Sequence, residues 1–434
     1  MVLSHAMSRR DEVAGLGPRF AKLWAASTIS ALGSGLATIA TPLFVASRTS
    51  SPVVISAALG VAWLPWLLFA LPGGVLVDRV DRRQLMIIVD WIRVVAMGVL
   101  ATAIMTGWAS IALLYVVLFI VNTGEIIFRA ASQAMIPSVV ATASLERANG
   151  WLVGGDTVAQ QMLAGPLGGL LFPIAAGLPF LANAGTFAAS ALMIAWIAGS
   201  YRPDRSEDSP ARTRAVRSVW ADAAEGFRFL MKQRLLRTMA MLIGLLNVTL
   251  TGALAVLVLL ARDRLHLGSV GYGLLFTFIA IGGIVGSVIG DRLIAWVTAT
   301  WTIRVGLLIE AGLHLTLAAS RNTPLICVAL FAFGVHGALW MIVNSSLRQR
   351  LTPPSMLGRV GSTNLFIAAG GNCAGALLAG GFAARFGITA PYWVAFVVAV
   401  IVSVTTWRVF SKAAVAEAYA KDPANEATAL AAAT

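Results

Sequence analysis

Charged side chains are rare in this sequence, and those that interrupt its long apolar stretches are the residues best suited to chemistry. Glu125 and Arg129 stand four residues apart, the spacing that puts two side chains on one face of a helix. Asp156 lies in the next apolar stretch. Because desolvation favours the neutral form of a carboxyl group, Glu125 and Asp156 are candidates for carrying a proton through an apolar layer. The alternatives are an ion pair between Glu125 and Arg129 and a hydrogen-bonding role for Asp156.

Histidine offers a second kind of proton chemistry, since an imidazole can change charge near neutral pH. Glu310 and His314 form another pair four residues apart, for which we expect structural pairing. His336 is isolated in the sequence, and it either titrates or packs as a hydrogen-bonded residue. No Cys/His metal-ligand spacing, His/Asp cluster or phosphate-binding glycine loop occurs in the sequence. We therefore expect neither a catalytic site nor a metal or other cofactor.

The apolar stretches that hold these residues are long enough to cross a membrane. They run for about 18 to 25 residues, as a hydrocarbon layer of roughly 30 Å requires. The sequence is 58% hydrophobic and 12% charged, whereas a soluble domain has about 25% charged residues. We therefore predict an all-α membrane protein with twelve transmembrane helices, at about residues 22–46, 53–77, 85–106, 109–131, 148–172, 177–199, 236–260, 270–291, 301–319, 324–345, 361–384 and 388–410.

The distribution of basic residues predicts the orientation of these spans. With the N-terminus inside, the external links carry only Arg48, Arg262, Arg264, Arg321 and Arg385. Nearly all other Lys and Arg residues are then cytoplasmic, as the positive-inside rule requires. The formal charge of +13 therefore indicates orientation and not a nucleic-acid partner. We expect a multi-pass inner-membrane protein with both termini in the cytoplasm.

Polar segments divide the sequence into regions. Residues 1–19 form a polar and basic leader, which we expect to be cytoplasmic and uncleaved because the following apolar run is too long for a signal-peptide core. Residues 20–199 and 236–411 are predicted to form two six-helix bundles, and residues 412–434 a cytoplasmic tail. Between the bundles, residues 200–235 form a cytoplasmic linker that ends in an amphipathic helix suited to the inner membrane surface.

The two predicted bundles repeat each other. Asp78 and Arg79 at the end of the second span recur as Asp291 and Arg292 at the end of the eighth. The offset spans six helices, an even number, so both copies have the same orientation in the membrane. Transporters built from two parallel repeats have this arrangement.

Five sequence blocks lie within the predicted helices or in the segments that join them. In sequence order they are Leu64-Pro65-Trp66, Gly73-Gly74 with Asp78-Arg79 and Asp81-Arg82-Arg83, Leu145-Glu146-Arg147-Ala148-Asn149, Gly226-Phe227-Arg228-Phe229-Leu230, and Thr352-Pro353 with Leu357-Gly358-Arg359. Together they resemble the major facilitator superfamily, and within it the twelve-helix branch of bacterial drug, macrolide and siderophore exporters. The resemblance covers nearly the whole sequence. It implies two parallel six-helix pseudo-repeats around one cavity, in a bacterial inner membrane.

The block between the second and third spans resembles the signature loop of the superfamily. The resemblance implies a conformational latch, which joins the two halves when the cavity faces outward. Its expected members are Gly73, Gly74, Asp78, Arg79, Arg82 and Arg83. Asp90 and Arg93, three residues apart in the third span, are expected to support the latch. The alternative is that the arginines only follow the positive-inside rule.

The fifth span carries Gly165, Pro166, Gly168 and Gly169, which are similar to the glycine-proline motif of antiporters. One residue, where the family usually has two, separates the Gly-Pro pair from the Gly-Gly pair. Proline bends a helix and glycines permit close packing. The motif favours antiport, and a kinked packing helix is the alternative.

Two positions depart from the family pattern. Ser34 stands in the first span where many relatives have an acidic residue, and Asn372 stands in the eleventh span where some relatives have Asp. Neither side chain can carry a proton. Proton coupling therefore rests on Glu125 and Asp156, or it is absent.

The substrate cavity is expected between the first, fourth, seventh and tenth spans. Its candidate residues are polar or large side chains on these spans: Ser30, Ser34, Asn122, Asn247, Thr251, Trp340, Met341 and Asn344. They predict a mostly apolar pocket with a few hydrogen-bonding groups, which suits a small amphipathic compound better than a sugar. For each polar residue, the alternative is a hydrogen bond between helices.

The sequence therefore predicts a secondary active transporter, with proton-coupled efflux of small amphipathic compounds by alternating access as the main hypothesis. A siderophore or lipid-like metabolite exporter of the same fold is the alternative. A membrane-embedded enzyme is a more distant one. The expected partners are the substrate, protons and membrane lipids, and the protein is expected to act as a monomer.

Overall fold

A computed structural model describes residues 16–77, 80–199, 201, 216–353 and 356–410. Within these ranges the protein is helical apart from short turns and links, and no β-strand occurs. The interior of a bilayer offers no water to backbone N–H and C=O groups, so each crossing segment must pair them within one helix. The predicted all-α membrane fold is confirmed.

Six helices precede the linker. They are α1 (Pro18–Arg48), α2 (Pro52–Val77), α3 (Arg82–Met105), α4 (Ile111–Val139), α5 (Leu145–Asp156, continued by Thr157–Leu163 and Ala164–Ile174) and α6 (Leu178–Ala195). Side chains at two N-termini accept hydrogen bonds from otherwise free backbone N–H groups. Asp81 accepts from the amide of Gln84 at 3.1 Å, and Ser110 accepts from the amide of Leu113 at 3.1 Å. These caps set where α3 and α4 begin.

Seven further helices are described, the first of which lies within the predicted linker. They are α7 (Val216–Lys232), α8 (Arg234–Ala255, continued by Leu257–Leu259 and Leu260–Arg264), α9 (Ser269–Val297), α10 (Ala299–Ala319), α11 (Thr323–Leu351), α12 (Leu357–Phe386) and α13 (Ala390–Thr406). Among the described residues, ten helices are long and apolar enough to cross a membrane. The interrupted α5 and the 17-residue α13 complete the twelve predicted spans. The helix α7 occupies the predicted amphipathic stretch.

The described residues of the protein form two compact units. The first comprises Met1–Arg48, Val61–Val216 and Gly268–Thr277, and the second comprises Thr49–Gly60, Arg217–Leu267 and Phe278–Thr434. Apolar side chains fill the interior of each. In the first unit, Phe20, Met86 and Met135 are buried in one cluster. In the second, Ile303 and Leu347 are buried in another.

The fifth crossing segment changes its helical geometry before its proline. Residues Thr157–Leu163 form a π-helix between two α-helical parts. Pro166 has no N–H group to donate to the carbonyl of Met162, and its ring crowds that carbonyl in a regular α-helix. A wider turn at this place relieves the crowding, as π-helical turns do within longer helices.

Glycines bring helices of the second unit into close contact. Gly282 of α9 faces the backbone of Phe331 in α11, and Gly375 of α12 faces the backbone of Val248 in α8. A Cβ atom at either glycine would overlap the facing backbone. Such contacts gain van der Waals packing, the main force between helices in lipid.

Candidate functional site

Arg93 is the centre of a buried polar site in the first unit. It lies eleven residues into α3, roughly 17 Å from the start of that helix, and its side chain is fully buried. A charge at this depth is costly unless it is paired. Arg93 donates from Nη1 to Asp90 Oδ1 at 3.0 Å, one turn earlier on the same helix. Its Nη2 atom forms an ion pair with Glu125 of α4.

Glu125 binds a second arginine. Arg129 donates from Nε to Glu125 Oε1 at 2.5 Å, one turn later in α4. Arg129 also forms an ion pair with Asp156 of α5, at 3.0 Å between Nη1 and Oδ2. The five residues Asp90, Arg93, Glu125, Arg129 and Asp156 therefore make one continuous ion-pair network across three helices.

The network holds three carboxylates and two guanidinium groups. With every group charged, it therefore carries one excess negative charge. Exposure rises along it, from a fully buried side chain at Asp90 to 11% exposed at Glu125 and 29% at Asp156. The Asp90 end of the network is therefore buried in protein, and the Asp156 end borders a cavity.

The surroundings of Arg93 are shaped to hold it. Its guanidinium carbon lies 3.7 Å from the centre of the Phe187 ring, a cation–π contact from α6. Gly124 faces the aliphatic part of Arg93, where an added Cβ atom would approach Cδ to 2.9 Å. Ser30 and Ser34 of α1 accept hydrogen bonds from its two terminal nitrogens, at 3.3 and 3.2 Å. The arginine is therefore fixed from three neighbouring helices, α1, α4 and α6.

The cavity beside the network has a volume of about 120 Å³. Ligand pockets usually hold about 300–1,000 Å³, so this one is suited to water and protons more than to a whole drug-sized compound. Its lining residues are Ser27, Ser30, Ala31, Glu125, Phe128, Arg129, Ser132, Gln133, Asn149, Leu152, Val153 and Asp156. Both carboxylates predicted as proton-coupling candidates border it.

The other predicted cavity residues are distributed over both units. Asn122 and Asn247 donate from their side-chain amides to carbonyls of their own helices, at 2.9 and 2.7 Å. Thr251 of α8 donates to Asn372 of α12 at 2.6 Å. The bond between Thr251 and Asn372 follows the alternative of a hydrogen bond between helices, whereas the two asparagines bond within their own helices.

Three further candidates lie on α11. Trp340 packs against the apolar cluster of the second unit, Asn344 is buried, and Met341 is 67% exposed. Of all eight candidates, only Ser30 and Ser34 belong to the surroundings of the ion-pair network. A cavity shared by all eight stays a prediction.

The predicted latch is described in part. Asp78 and Arg79 lie outside the described residues, as do the surroundings of Gly73 and Gly74. Arg82 donates to the carbonyl of Ala134 near the end of α4, at 3.0 Å. Cations at helix C-termini are favourable, because free carbonyls give that end a negative potential.

The remaining latch candidates divide into two groups. Arg83 donates to the carbonyls of Ile194 and Ala195 at the end of α6, at 3.1 and 2.5 Å. Asp90 and Arg93, predicted to support the latch, are joined to Glu125 by the ion-pair network. Their support of the latch stays a prediction.

The glycine-proline motif brings α5 close to two neighbours in the first unit. Gly165 and Gly169 face the backbone of Gly273 and Ser269 in α9, and Gly168 faces α1. Added Cβ atoms at Gly165 and Gly169 would lie 2.8 Å from backbone oxygens. The motif therefore makes contacts that need glycine.

Several site residues were missed from the sequence. Gln160 accepts a hydrogen bond from Arg129 at 3.2 Å, and Phe187 stacks on Arg93. Nothing in their local spacing marks either residue. Because each buried charge needs a partner, contacts among the charged residues of the third, fourth and fifth spans could have been predicted. The contact between Phe187 and Arg93 could not. No group of three or more His, Cys, Asp or Glu side chains in the described ranges could hold a metal ion.

Comparison with known proteins gives consistent similarities. The family model described as "Transmembrane secretion effector" matches residues 16–432. Enterobactin exporter EntS of Citrobacter koseri is 26% identical over 384 residues, 85% of this sequence and 86% of that protein. Macrolide efflux protein A of Streptococcus pyogenes is 30% identical over 133 residues, which are 31% of this sequence and 33% of that protein.

Solved structures share the fold. A variant of the nucleoside transporter NupG superposes with a TM-score of 0.71 at 12% identity, covering 91% of this protein and all of the other. A bacterial homologue of the human lysosomal transporter Spinster gives the same TM-score at 13% identity, with 91% and 96% covered. At these identities, the likeness concerns the fold alone.

Proposed function

We propose, on the premise that this protein belongs to the transmembrane secretion effector family of the major facilitator superfamily, that it exports small amphipathic compounds in exchange for protons. It is an efflux transporter and not an enzyme. The observation that supports proton exchange is the excess negative charge of the ion-pair network.

A single uncompensated charge inside a membrane protein is costly, so the network must be neutralised. Protonation of one carboxyl group achieves this. Asp156 is the best placed, because it is the most exposed of the three carboxylates and borders the cavity. Glu125 is held by two arginines and is therefore harder to protonate.

Exchange follows if the substrate can take the place of the proton. When Asp156 gives up its proton, the network regains its negative charge and attracts a cationic group near the cavity. When Asp156 is protonated again, that attraction is lost, and Arg129 keeps its ion pair with Glu125 and its hydrogen bond to Gln160. Proton and substrate then occupy the protein in turn, which is the requirement for antiport.

The substrate class has two candidates. The apolar surroundings and the excess negative charge favour an amphipathic cation. A siderophore is the second candidate, because the similarity to the enterobactin exporter extends over 85% of the sequence, whereas the match to the macrolide efflux protein covers 31%. A lipid-like metabolite belongs to the same alternative as the siderophore.

We further propose a location in the bacterial inner membrane, with both termini in the cytoplasm. The support is the basic cytoplasmic side predicted by the positive-inside rule. The protein is proposed to act as a monomer surrounded by lipid. The amphipathic α7 would then lie at the inner surface, where Glu225 forms an ion pair with Arg359 at 2.9 Å.

The experiment measures proton movement in inverted membrane vesicles. A cationic amphipathic dye is added outside the vesicles, and the release of protons from them is followed with a pH indicator. We expect Asp156→Asn to abolish dye-dependent proton release, because the amide removes the excess charge and cannot take up a proton.

Asp263→Asn is the matched control, since it makes the same chemical change at an exposed residue outside the network. It should leave proton release unchanged. If Asp156→Asn releases protons at the rate of the unsubstituted protein, proton exchange at this residue is wrong. Vesicles supplied with a siderophore in place of the dye distinguish the two substrate classes, because only the true substrate drives release.

A further inference from the structure

The second unit contains a separate cluster of ionisable side chains that the ion-pair network does not use. Glu310 lies near the middle of α10, His314 lies one turn later, and His336 comes from α11. All three are buried, with 3%, 0% and 5% of their surfaces exposed. We call them the Glu-His-His cluster.

Each imidazole faces a different oxygen of the carboxyl group. His314 Nε2 lies 3.7 Å from Glu310 Oε1, and His336 Nε2 lies 3.9 Å from Glu310 Oε2. Both distances exceed those of hydrogen bonds. Glu310 thus lies between one imidazole on its own helix and one on the neighbouring helix.

The packing around His336 fixes its ring at this place. Gly306 of α10 faces the imidazole, and a Cβ atom at Gly306 would overlap the ring. Phe333 and Trp340 lie on either side of His336 in sequence, with ring centres 6.2 and 6.5 Å away. Because α10 has a glycine here, the imidazole can reach the carboxyl group.

No described cation compensates Glu310. Arg304, the other charged residue of α10, lies roughly 9 Å along the helix and donates to the carbonyl of Trp407 at 2.7 Å. The helices packed against α10 are α11 and α13. Their other titratable groups are Cys327, Arg348, Arg350 and Tyr392. The two arginines belong to the last turn of α11, and Tyr392 donates to the carbonyl of Ala253.

The charge of the cluster therefore has to be balanced from within. An ionised Glu310 with two neutral imidazoles would leave one negative charge buried in the bilayer region, which is costly. One proton on any of the three groups makes the cluster neutral. Several atoms of the cluster are free to bind this proton. No hydrogen-bond partner is found for Glu310 Oε1, for either ring nitrogen of His314 or for Nδ1 of His336.

We propose that Glu310, His314 and His336 form a proton-binding site in the second unit, separate from the ion-pair network. One proton, on the carboxyl group or on one of the two imidazoles, makes the cluster neutral. A second proton from water can be taken up by the other imidazole, which gives the cluster one positive charge. Because the imidazoles belong to α10 and α11, uptake changes the attraction between these two helices.

The test uses nitrogen NMR of the histidines in the purified, full-length protein in lipid nanodiscs. The sequence has four histidines, so selective labelling with ¹⁵N-histidine gives few signals, and removing each histidine assigns them. We expect the ¹⁵N signals of His314 and His336 to change as the pH is varied, and each signal to change when the other histidine is removed. Glu310→Gln should leave both imidazoles neutral throughout the pH series.

The control is His266, which lies in the link between α8 and α9 and whose signal should be the same in all variants. Gly306→Ala is an independent test that changes no charge. The added methyl group should displace His336 from Glu310, and the signals of the two histidines should then no longer depend on each other. Gly312→Ala on the same helix has open space around it and should leave that dependence unchanged.

The proposal is overturned if both imidazoles stay neutral with fixed tautomers in the unsubstituted protein. It is also overturned if Glu310→Gln and Gly306→Ala both leave the pH dependence of the two signals unchanged. The measurement needs neither substrate nor transport, so its result is independent of proton exchange at Asp156. Conversely, Asp156→Asn should abolish proton release without changing the NMR signals of His314 and His336.

Discussion

Arg93 of α3 and Glu125 of α4 form a buried ion pair, although 32 residues separate them in the sequence. Arg93 also binds Asp90, and Glu125 also binds Arg129. The pair therefore connects the sealed end of the ion-pair network to the end that meets the cavity. A proton that binds or leaves near the cavity changes the electrostatic balance of every member, since screening by water is weak at these positions.

Glu125→Gln is expected to abolish dye-dependent proton release in inverted vesicles. The substitution leaves two carboxylates and two guanidinium groups, so the network is neutral without a proton. The measurement is the same pH-indicator assay, with Asp263→Asn as control. Release at the unsubstituted rate would remove Glu125 from the mechanism.

Arg93→Met is expected to destabilise the protein strongly. It leaves Asp90 and Glu125 buried without their shared cation, and breaking a buried pair from one side typically costs about 3–5 kcal/mol. The measurement is unfolding of the purified protein in mixed detergent micelles. A loss below about 1 kcal/mol would mean that water reaches these carboxylates, as it does for surface ion pairs.

Asp90→Asn combined with Arg93→Met should recover part of that stability. The double substitution removes one of the carboxylates left unpaired, so the loss should be smaller than for Arg93→Met alone. The same unfolding experiment compares the two proteins. Equal stability of the single and double variants would show that Asp90 gains nothing from Arg93.

Gly124→Ala should displace Arg93 and lower the melting temperature, because the added methyl group meets the side chain of Arg93 at 2.9 Å. Gly98→Ala is the matched control on α3, where nothing lies within 4 Å of the new atom. It should be neutral or stabilising, since alanine favours helices over glycine by about 1 kcal/mol. Thermal unfolding in detergent measures both, and equal melting temperatures would contradict the close contact.

Gly375→Ala should disturb the contact between α12 and α8, where the backbone of Val248 leaves no room for a methyl group. Gly381→Ala, six residues later on α12, meets open space and serves as control. We expect reduced stability and reduced dye export only for Gly375→Ala. If both variants export dye equally and unfold at the same temperature, the glycine is not required there.

The fold was largely predictable, because lipid imposes its requirement on each segment separately. A run of apolar residues of the right length must cross as a helix, whichever helices it meets later. The contacts within single helices were predictable for a related reason. Residues three or four positions apart share a helix face, and the pairs Asp90–Arg93, Glu125–Arg129 and Glu310–His314 follow that spacing.

The contacts between helices were decided only by the tertiary structure. The pairings of Arg93 with Glu125, Arg129 with Asp156 and Glu310 with His336 each join two helices. Whether such side chains meet depends on the rotation and depth of both helices. These are set by the sum of many small packing contacts and not by the spacing of residues along the sequence. The sequence therefore determined which residues carry charge in the membrane, and packing determined which of them act together.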